Sequence, residues 1–378
     1  MRSWVVYFSR SDFLHFRYCH TSLRVFPAIR SKTLKAVFIN EFGDVDKLIY
    51  GDLPDPTTGP GDVVLRVRAS ALNHLDIGVR SGRGRLPSQF PHVLGCDMAG
   101  EIAEIGPGVT GFKVGDRVLV DNRLKCDVCG PCLQGQDQFC LNQLRIGVDV
   151  HGGHAEYCKI SAINVHKFRD SMSFEEAAAI PLAFHTAWHC LMVRGQLQPW
   201  ETILVQAGGS GVGSAGIQIA KRIGARVITT AGSDEKLAKA KELGADEGIN
   251  YRNTPEFSKR VKEFTDGQGV DMVLDVVGAA VWEQNQLSLR PGGRLVITGS
   301  TSGTQTNMDL SVITGRPLTL MGSGNRTRRS FGEMMNVINR GELTGVVGQV
   351  FPLEDVARAH KVMESRDFYG KLVIQGPQ

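Results

Sequence analysis

The chain lacks any run of about eighteen consecutive apolar residues, the length a membrane-spanning helix needs. It also lacks internal repeats and low-complexity linkers, which excludes solenoid and fibrous architectures. A body of one charge sign is missing too. The formal net charge is +4 over 378 residues, but residues 1–33 hold Arg2, Arg10, Arg17, Arg24, Arg30 and Lys32 against Asp12 alone. That surplus of five leaves the remainder one unit negative, without the basic surface that nucleic-acid binding requires. The eight cysteines lack the spread of a secreted disulfide framework, because four crowd into one short stretch. That usage suits a metal site in a reducing compartment.

The crowded four are Cys126, Cys129, Cys132 and Cys140, in a C-x2-C-x2-C-x7-C arrangement. Thiolates so spaced on one lobe can converge on a single tetrahedral ion, and a four-cysteine zinc site is closed and structural. Such a site holds a loop together and leaves no open position for substrate.

Apolar content of 42% and charged content of 22% are ordinary for a globular protein, and the length suits two domains. Short β-type segments, including Ala36–Ile39, Val63–Val67 and Asp116–Val120, fill residues 35–165 between Gly and Pro punctuation. From Ser173, a plausible N-cap for Phe174–Ala179, strands and helices alternate. Thr202–Val205, Arg226–Thr229, Val270–Asp275 and Arg294–Ile297 read as buried strands, with helices over 212–223 and 236–243. This alternation predicts an α/β, doubly wound parallel sheet.

The first of those strands runs into Gly208-Gly209-Ser210-Gly211-Val212-Gly213 and then a helix. Glycines let the backbone approach a pyrophosphate, and the helix N-terminus offers unpaired N–H groups and partial positive charge. The strict G-x-G-x-x-G spacing is not met. After the second strand come Ala231-Gly232-Ser233-Asp234-Glu235-Lys236. Ser233 also suits an N-cap, Lys236 a solvated helix charge, and Asp234 and Glu235 first-turn partners of the helix dipole.

Gly95-Cys96-Asp97-Met98-Ala99-Gly100, Gly115-Asp116-Arg117-Val118, Gly152-Gly153-His154-Ala155-Glu156-Tyr157, the glycine loop and Gly244-Ala245-Asp246 stand in an order that resembles the medium-chain dehydrogenase/reductase superfamily. That group contains the zinc alcohol dehydrogenases and quinone reductases, and the resemblance runs from about Lys35 to the C-terminus. It implies a GroES-like mostly-β domain over 34–172 with a zinc lobe at 123–147. It further implies a Rossmann domain over 173–323 and a return of residues 324–378 to the first domain, with the active site in the cleft between them.

The resemblance places the acid of NAD enzymes at Ala231, so nothing there repels a 2′-phosphate. Ser233, Lys236 and Tyr251 match residues lining the phosphate pocket of NADPH-dependent relatives, and Gly208, Gly211, Val212 and Gly213 match the pyrophosphate loop. NADP(H) is therefore the expected cofactor, beside one structural Zn2+. The three ligands of a second, catalytic zinc fall at Asn73, Cys96 and Leu182, and the proton-relay hydroxyl falls at Leu75. Asn73 and Thr186 match residues beside the nicotinamide in zinc-free relatives.

Two further readings concern this region. Cys96, Asp97, His74, His92 and His185 could rebuild a metal site, or Cys96 could be a small buried hydrophobe. Asp76 reads as a hydrogen-bond partner within its own turn.

The expected activity is NADPH-dependent reduction of a small quinone or an α,β-unsaturated carbonyl without catalytic zinc, with His74 or solvent as proton source. The alternatives are a zinc alcohol or aldehyde dehydrogenase with rebuilt ligands, and a non-enzymatic NADPH-binding protein. The resemblance also implies a homodimer or homotetramer paired near Leu318-Thr319-Leu320, while the charge balance and the lack of a long apolar run argue for no nucleic-acid or membrane partner. Residues 1–33 are Arg-rich and acid-poor, as mitochondrial transit peptides are. A flexible tail and a start upstream of the true one, near Lys35, are the other readings, so the compartment is cytoplasmic or the mitochondrial matrix accordingly.

Overall fold

The computed structural model describes residues 33–377. The N-terminal segment with its transit reading lies outside the described residues, except that Thr33, counted with that segment from sequence, opens the first strand, Thr33–Ile39.

The N-terminal half is mostly β. Thr33–Ile39 pairs antiparallel with Ile49–Pro54 and His92–Val93 in a three-stranded sheet. A seven-stranded sheet forms around Asp62–Ala71, which pairs antiparallel with Asp97–Ile105, Tyr157–Ser161 and Lys371–Gln375. Val63, Leu65 and Val67 alternate inward along that strand, and they meet Met98, Ile102, Val118 and Ile160 in one core.

Residues 202–322 build a six-stranded parallel sheet. Its order across the sheet is Glu247–Asn250, Arg226–Ala231, Thr202–Val205, Val270–Asp275, Leu289–Ile297 and Thr319–Gly322. The order reverses at Thr202–Val205, and open α/β sheets place ligands outside the carboxyl ends of their strands at such a point. Ile203, Leu204 and Val205 are buried on both faces, which explains their uninterrupted apolar run.

Two elements tie the halves together. The helix Arg328–Asn339 buries Phe331 against the helix Pro181–Trp188, with the His185 ring edge-on at 5.0 Å. The last strand, Lys371–Gln375, then enters the N-terminal sheet between Asp62–Ala71 and Val347–Pro352. The strand Lys371–Gln375 thus pairs in the N-terminal sheet with Asp62–Ala71. No helix among the described residues is long and apolar enough to cross a membrane.

Ser173 caps the helix Phe174–Ala178 reciprocally: Glu176 N donates to Ser173 Oγ and Ser173 N donates to Glu176 Oε2, both at 3.1 Å. Ser173→Ala removes one of those bonds. It should lower stability by about 1 kcal/mol, read as an earlier midpoint in urea unfolding.

Candidate functional site

A cavity of about 670 Å³ opens between the two sheets at the switch point. The glycine loop forms one wall. Ser210 caps the helix Gly211–Ile223, its Oγ accepting from Gly213 N at 3.0 Å. Gly209, Ser210, Gly211 and Val212 line the cavity, while Gly208 and Gly213 pack behind it. A Cβ at Gly208 would lie 2.3 Å from Thr229 Oγ1, and one at Gly213 would lie 2.1 Å from Ala207 O. Those contacts hold the loop tight enough for its N–H groups and the helix N-terminus to face the cavity. A pyrophosphate fits that cradle.

Another edge of the cavity is formed where Arg226–Ala231 stops. Ala231, Gly232, Lys236 and Tyr251 line the cavity there. A Cβ on Gly232 would sit 2.7 Å from Tyr251 Oη and 3.3 Å from Arg252 Nε, so the glycine lets both side chains close over the edge. Ser233 does not line the cavity. It caps the helix Asp234–Glu242, its Oγ accepting from Lys236 N at 3.3 Å. Asp234 accepts from Asn250 Nδ2 at 2.8 Å, and Glu235 pairs with Lys239 at 2.9 Å. Both acids are thus engaged in their own helix and its neighbour. Arg252, absent from the sequence reading, is a second cation at this edge.

The part of the cavity lined by Asn73 and Lys371 is organised by Asp97, which has no solvent exposure. Asp97 lies opposite Ala71 in the antiparallel register, and Val373 lies opposite the same residue from the other side. Extending that register by two residues brings Lys371 to Asn73. Lys371 Nζ donates to Asn73 Oδ1 at 2.6 Å and to Asp97 Oδ2 at 2.9 Å. Asn73 Nδ2 donates to Asp97 Oδ2 at 2.9 Å and to Cys96 Sγ at 3.3 Å, and Leu182 N donates to Asp97 Oδ1 at 2.9 Å. Asn73, Cys96 and Leu182, the three positions matched to catalytic-zinc ligands, therefore converge on one aspartate. The cation in their midst is a lysine ammonium.

The donor set does not fit a second ion. Asp97 is saturated by Lys371, Asn73 and Leu182. Burial first, and then the charges of Asp97 and Asp76, push the Cys96 thiol well above its ordinary pKa. Two of the three histidines considered for a rebuilt site are engaged elsewhere. His185 Nε2 meets Ser330 Oγ at 2.8 Å and Thr327 O at 3.1 Å, while His92 packs against His151. His74 remains solvent-exposed on the cavity wall. Desolvation of its ring by the cleft, and then the charges of Arg366 and Lys371, hold its pKa below that of a free histidine. Asp76 closes the turn as expected, accepting from Asn73 N at 2.7 Å and from Gly95 N at 3.1 Å. Thr186 also lines the cavity, and its hydroxyl accepts from Arg326 Nη1 at 2.5 Å.

Cys126, Cys129, Cys132 and Cys140 do come together, with all ligand atoms within 4.8 Å of one another and the Cys126 and Cys140 sulfurs 3.5 Å apart. Tetrahedral zinc with ~2.3 Å bonds to sulfur requires spacings of this size. The Val128 N–H pulls the Cys126 pKa down to about 6, whereas desolvation pushes Cys132 up to about 12. Four thiolates this close need a shared cation, and zinc fits. Arg328 holds the lobe to the helix Arg328–Asn339 through Asp127 at 2.7 Å.

Sequence reasoning missed Lys371, Arg123, Arg145 and Arg326, all of which line the cavity. Lys371 stands 298 residues from its partner Asn73, and only strand register reveals that contact.

Comparison with known proteins gives a consistent picture. A family model described as "Alcohol dehydrogenase GroES-like domain" matches residues 59–170, and one described as "Zinc-binding dehydrogenase" matches 211–340. The chain is similar to an alcohol dehydrogenase of Geobacillus stearothermophilus, at 32% identity over 90% of this chain and 99% of that protein. It is similar to a quinone oxidoreductase of Pseudomonas aeruginosa, at 31% identity over 90% and 99% respectively. A crystal structure of an NAD-dependent alcohol dehydrogenase superposes with a TM-score of 0.87 at 41% identity, covering 91% of this chain and all of that one.

Two measurements test this site. Plasma mass spectrometry on protein purified without added metal should find about one zinc per chain, and Cys140→Ser should abolish it; a value near two would show that the Asp97 centre takes an ion after all. Lys371→Met strands a buried carboxylate. It should destabilise the protein by about 3–5 kcal/mol, seen as a large drop in melting temperature.

Proposed function

Because the chain belongs to the medium-chain dehydrogenase/reductase superfamily and is an oxidoreductase of it, we propose that it reduces quinones or α,β-unsaturated carbonyls with NADPH and without a catalytic metal. One observation carries this reading: the ammonium of Lys371 stands among the positions that would hold a catalytic zinc, bonded to Asn73 and Asp97. With no Lewis acid there to lower an alcohol's pKa, alcohol oxidation is disfavoured. A conjugated carbonyl is already electrophilic and asks less of the protein.

The reduced nicotinamide supplies a hydride when bound. The β-carbon of the enone takes the hydride, the C=C pair becomes a double bond from the α-carbon to the carbonyl carbon, and the C=O π pair moves onto oxygen. As the C=O re-forms, the α-carbon takes a proton from solvent or His74 in a new C–H bond, leaving NADP+ and a saturated carbonyl. Asn73 and Thr186 are fixed by Asp97 and Arg326 respectively, so both present oriented polar groups to the cavity at that end. The N–H groups of loop residues 209–212, at the N-terminus of the helix Gly211–Ile223, give the wall that faces the cofactor partial positive charge.

Ala231 in place of an acid, with Lys236, Tyr251 and Arg252 at the same edge, favours the 2′-phosphate of NADPH. Thr319–Gly322 is the outermost strand of the parallel sheet and suits pairing with a second copy in a homodimer or homotetramer.

The test is NADPH and NADH oxidation with a panel of quinones and enones, set beside NADP+ reduction with primary and secondary alcohols. Turnover of the conjugated acceptors with NADPH is expected. Turnover confined to alcohols would overturn the reading. Ala231→Asp should raise the KM for NADPH about tenfold or more relative to NADH, through repulsion of the 2′-phosphate.

A further inference from the structure

Three arginines, Arg123, Arg145 and Arg326, line the cavity, and they are undersupplied with counter-charge. Arg326 is only 4% exposed. Its Nη1 is bonded to Thr186 Oγ1, while its Nε and Nη2 are buried with no hydrogen-bond partner among the described residues. Arg123 reaches only neutral acceptors, Asn325 Oδ1 at 3.2 Å and Gly324 O at 3.4 Å, and its buried Nε is unmatched. Arg145 has buried Nε and Nη2 atoms without hydrogen bonds. Its nearest acid, Asp149, lies 3.6 Å from Nε and is already held by Arg85 at 2.5 Å and by Arg145 N at 2.7 Å.

The other charges nearby do not balance this group. Asp121 is buried beside Arg326, but its Oδ1 accepts from Arg123 N rather than from a guanidinium. Lys125, a further buried cation, has its own counter-ion in Asp137 at 4.0 Å and donates to Arg326 O, Gln143 Oε1 and Asp137 O, so it supplies no negative charge to the arginines. The mutual repulsion shows in Arg123: burial, then Arg326 and Arg145, draw its pKa down to about 9. Desolvated guanidinium groups without partners are costly, and they are retained where an anion completes them.

The cofactor's own anionic groups are provided for elsewhere, at the glycine loop and at the Gly232–Lys236 edge. Arg326, in contrast, is tied to Thr186, which stands at the reacting end with Asn73. We propose that Arg326, with Arg123 and Arg145, forms a carboxylate subsite, so that the substrate is a small conjugated carbonyl compound bearing a carboxylate close to its reacting double bond. The fork geometry of guanidinium suits bidentate capture of a carboxylate, and seating it there orients the double bond toward the nicotinamide end.

This inference rests on the enone-reductase reading, and the experiment separates the two. NADPH oxidation is measured with (E)-4-oxopent-2-enoate, with its methyl ester, and with (E)-pent-3-en-2-one. Binding of fumarate is measured independently, by thermal shift of the protein without cofactor and by competitive inhibition against the neutral enone. The acid should exceed the ester in kcat/KM by about tenfold or more. Fumarate should stabilise the protein and inhibit competitively. Arg145→Gln, at a half-buried position that tolerates change better than Arg326, and Arg326→Met should each collapse the acid-to-ester ratio toward one and abolish the fumarate shift. Turnover of the neutral enone without preference for the acid, together with no fumarate shift, would overturn the carboxylate subsite and leave the reductase reading standing. A fumarate shift that is lost in Arg145→Gln, with no turnover of any enone or quinone, would support the subsite and overturn the reductase reading.

Discussion

The buried pair of Asp97 and Lys371 is the contact on which the rest of the site depends. A fully buried carboxylate must be neutralised, and here the neutralising charge comes from the last strand of the chain. That requirement couples three things. It fixes the C-terminal strand in the N-terminal sheet and holds Asn73 at the head of its turn. It also brings Leu182, at the start of the helix that carries Thr186, against the same carboxylate. One ion pair thereby sets the relation between the sheet that carries Asn73 and the helix that carries Thr186.

The same pair decides the chemistry available. A zinc ion would bring two positive charges to a tetrahedral set of soft or imidazole ligands, with one position left open. Lys371 brings one charge and uses it on Asp97, and the surrounding amide, thiol and leucine offer no ligand set. Under the proposed metal-free reading, placement stands in for Lewis acidity: oriented amide and hydroxyl groups at one end, a glycine cradle along the wall, and guanidinium groups without counter-ions beside them. A cavity with cations at both ends and little carboxylate between them is matched to anionic ligands along its whole length.

Much of this was legible in the residues. The alternation of apolar strands and helices after Ser173 fixed the parallel sheet, because strands buried on both faces cannot hide their composition. Four cysteines within one short segment could converge only on one another, so their cluster followed from spacing. The capping role of Ser233 was equally available from sequence, and it is the role the structure displays; the cavity edge is built instead by Gly232, Lys236, Tyr251 and Arg252. The candidate ligands Cys96, Asp97, His74, His92 and His185 looked close along the chain. Cys96 and Asp97 stay together on the Asn73 amide, but His185 turns toward Ser330 and His92 packs against His151.

By itself, then, the sequence determined the local matters: the strands and helices, the helix caps, the glycine loop, the cysteine cluster, and the absence of an acid after the second strand of the parallel sheet. Each depends on residues within a few positions of one another, where backbone geometry alone sets the distance. Tertiary structure decided the partnerships. Lys371 with Asp97, Arg326 with Thr186, and the gathering of Arg123 and Arg145 on the same wall join residues from distant parts of the chain. Their proximity arises from strand register and from the return of the C-terminal strand to the first sheet. No local pattern encodes such contacts, because the energy that enforces them, neutralising charge that folding removes from water, exists only once the two halves have met.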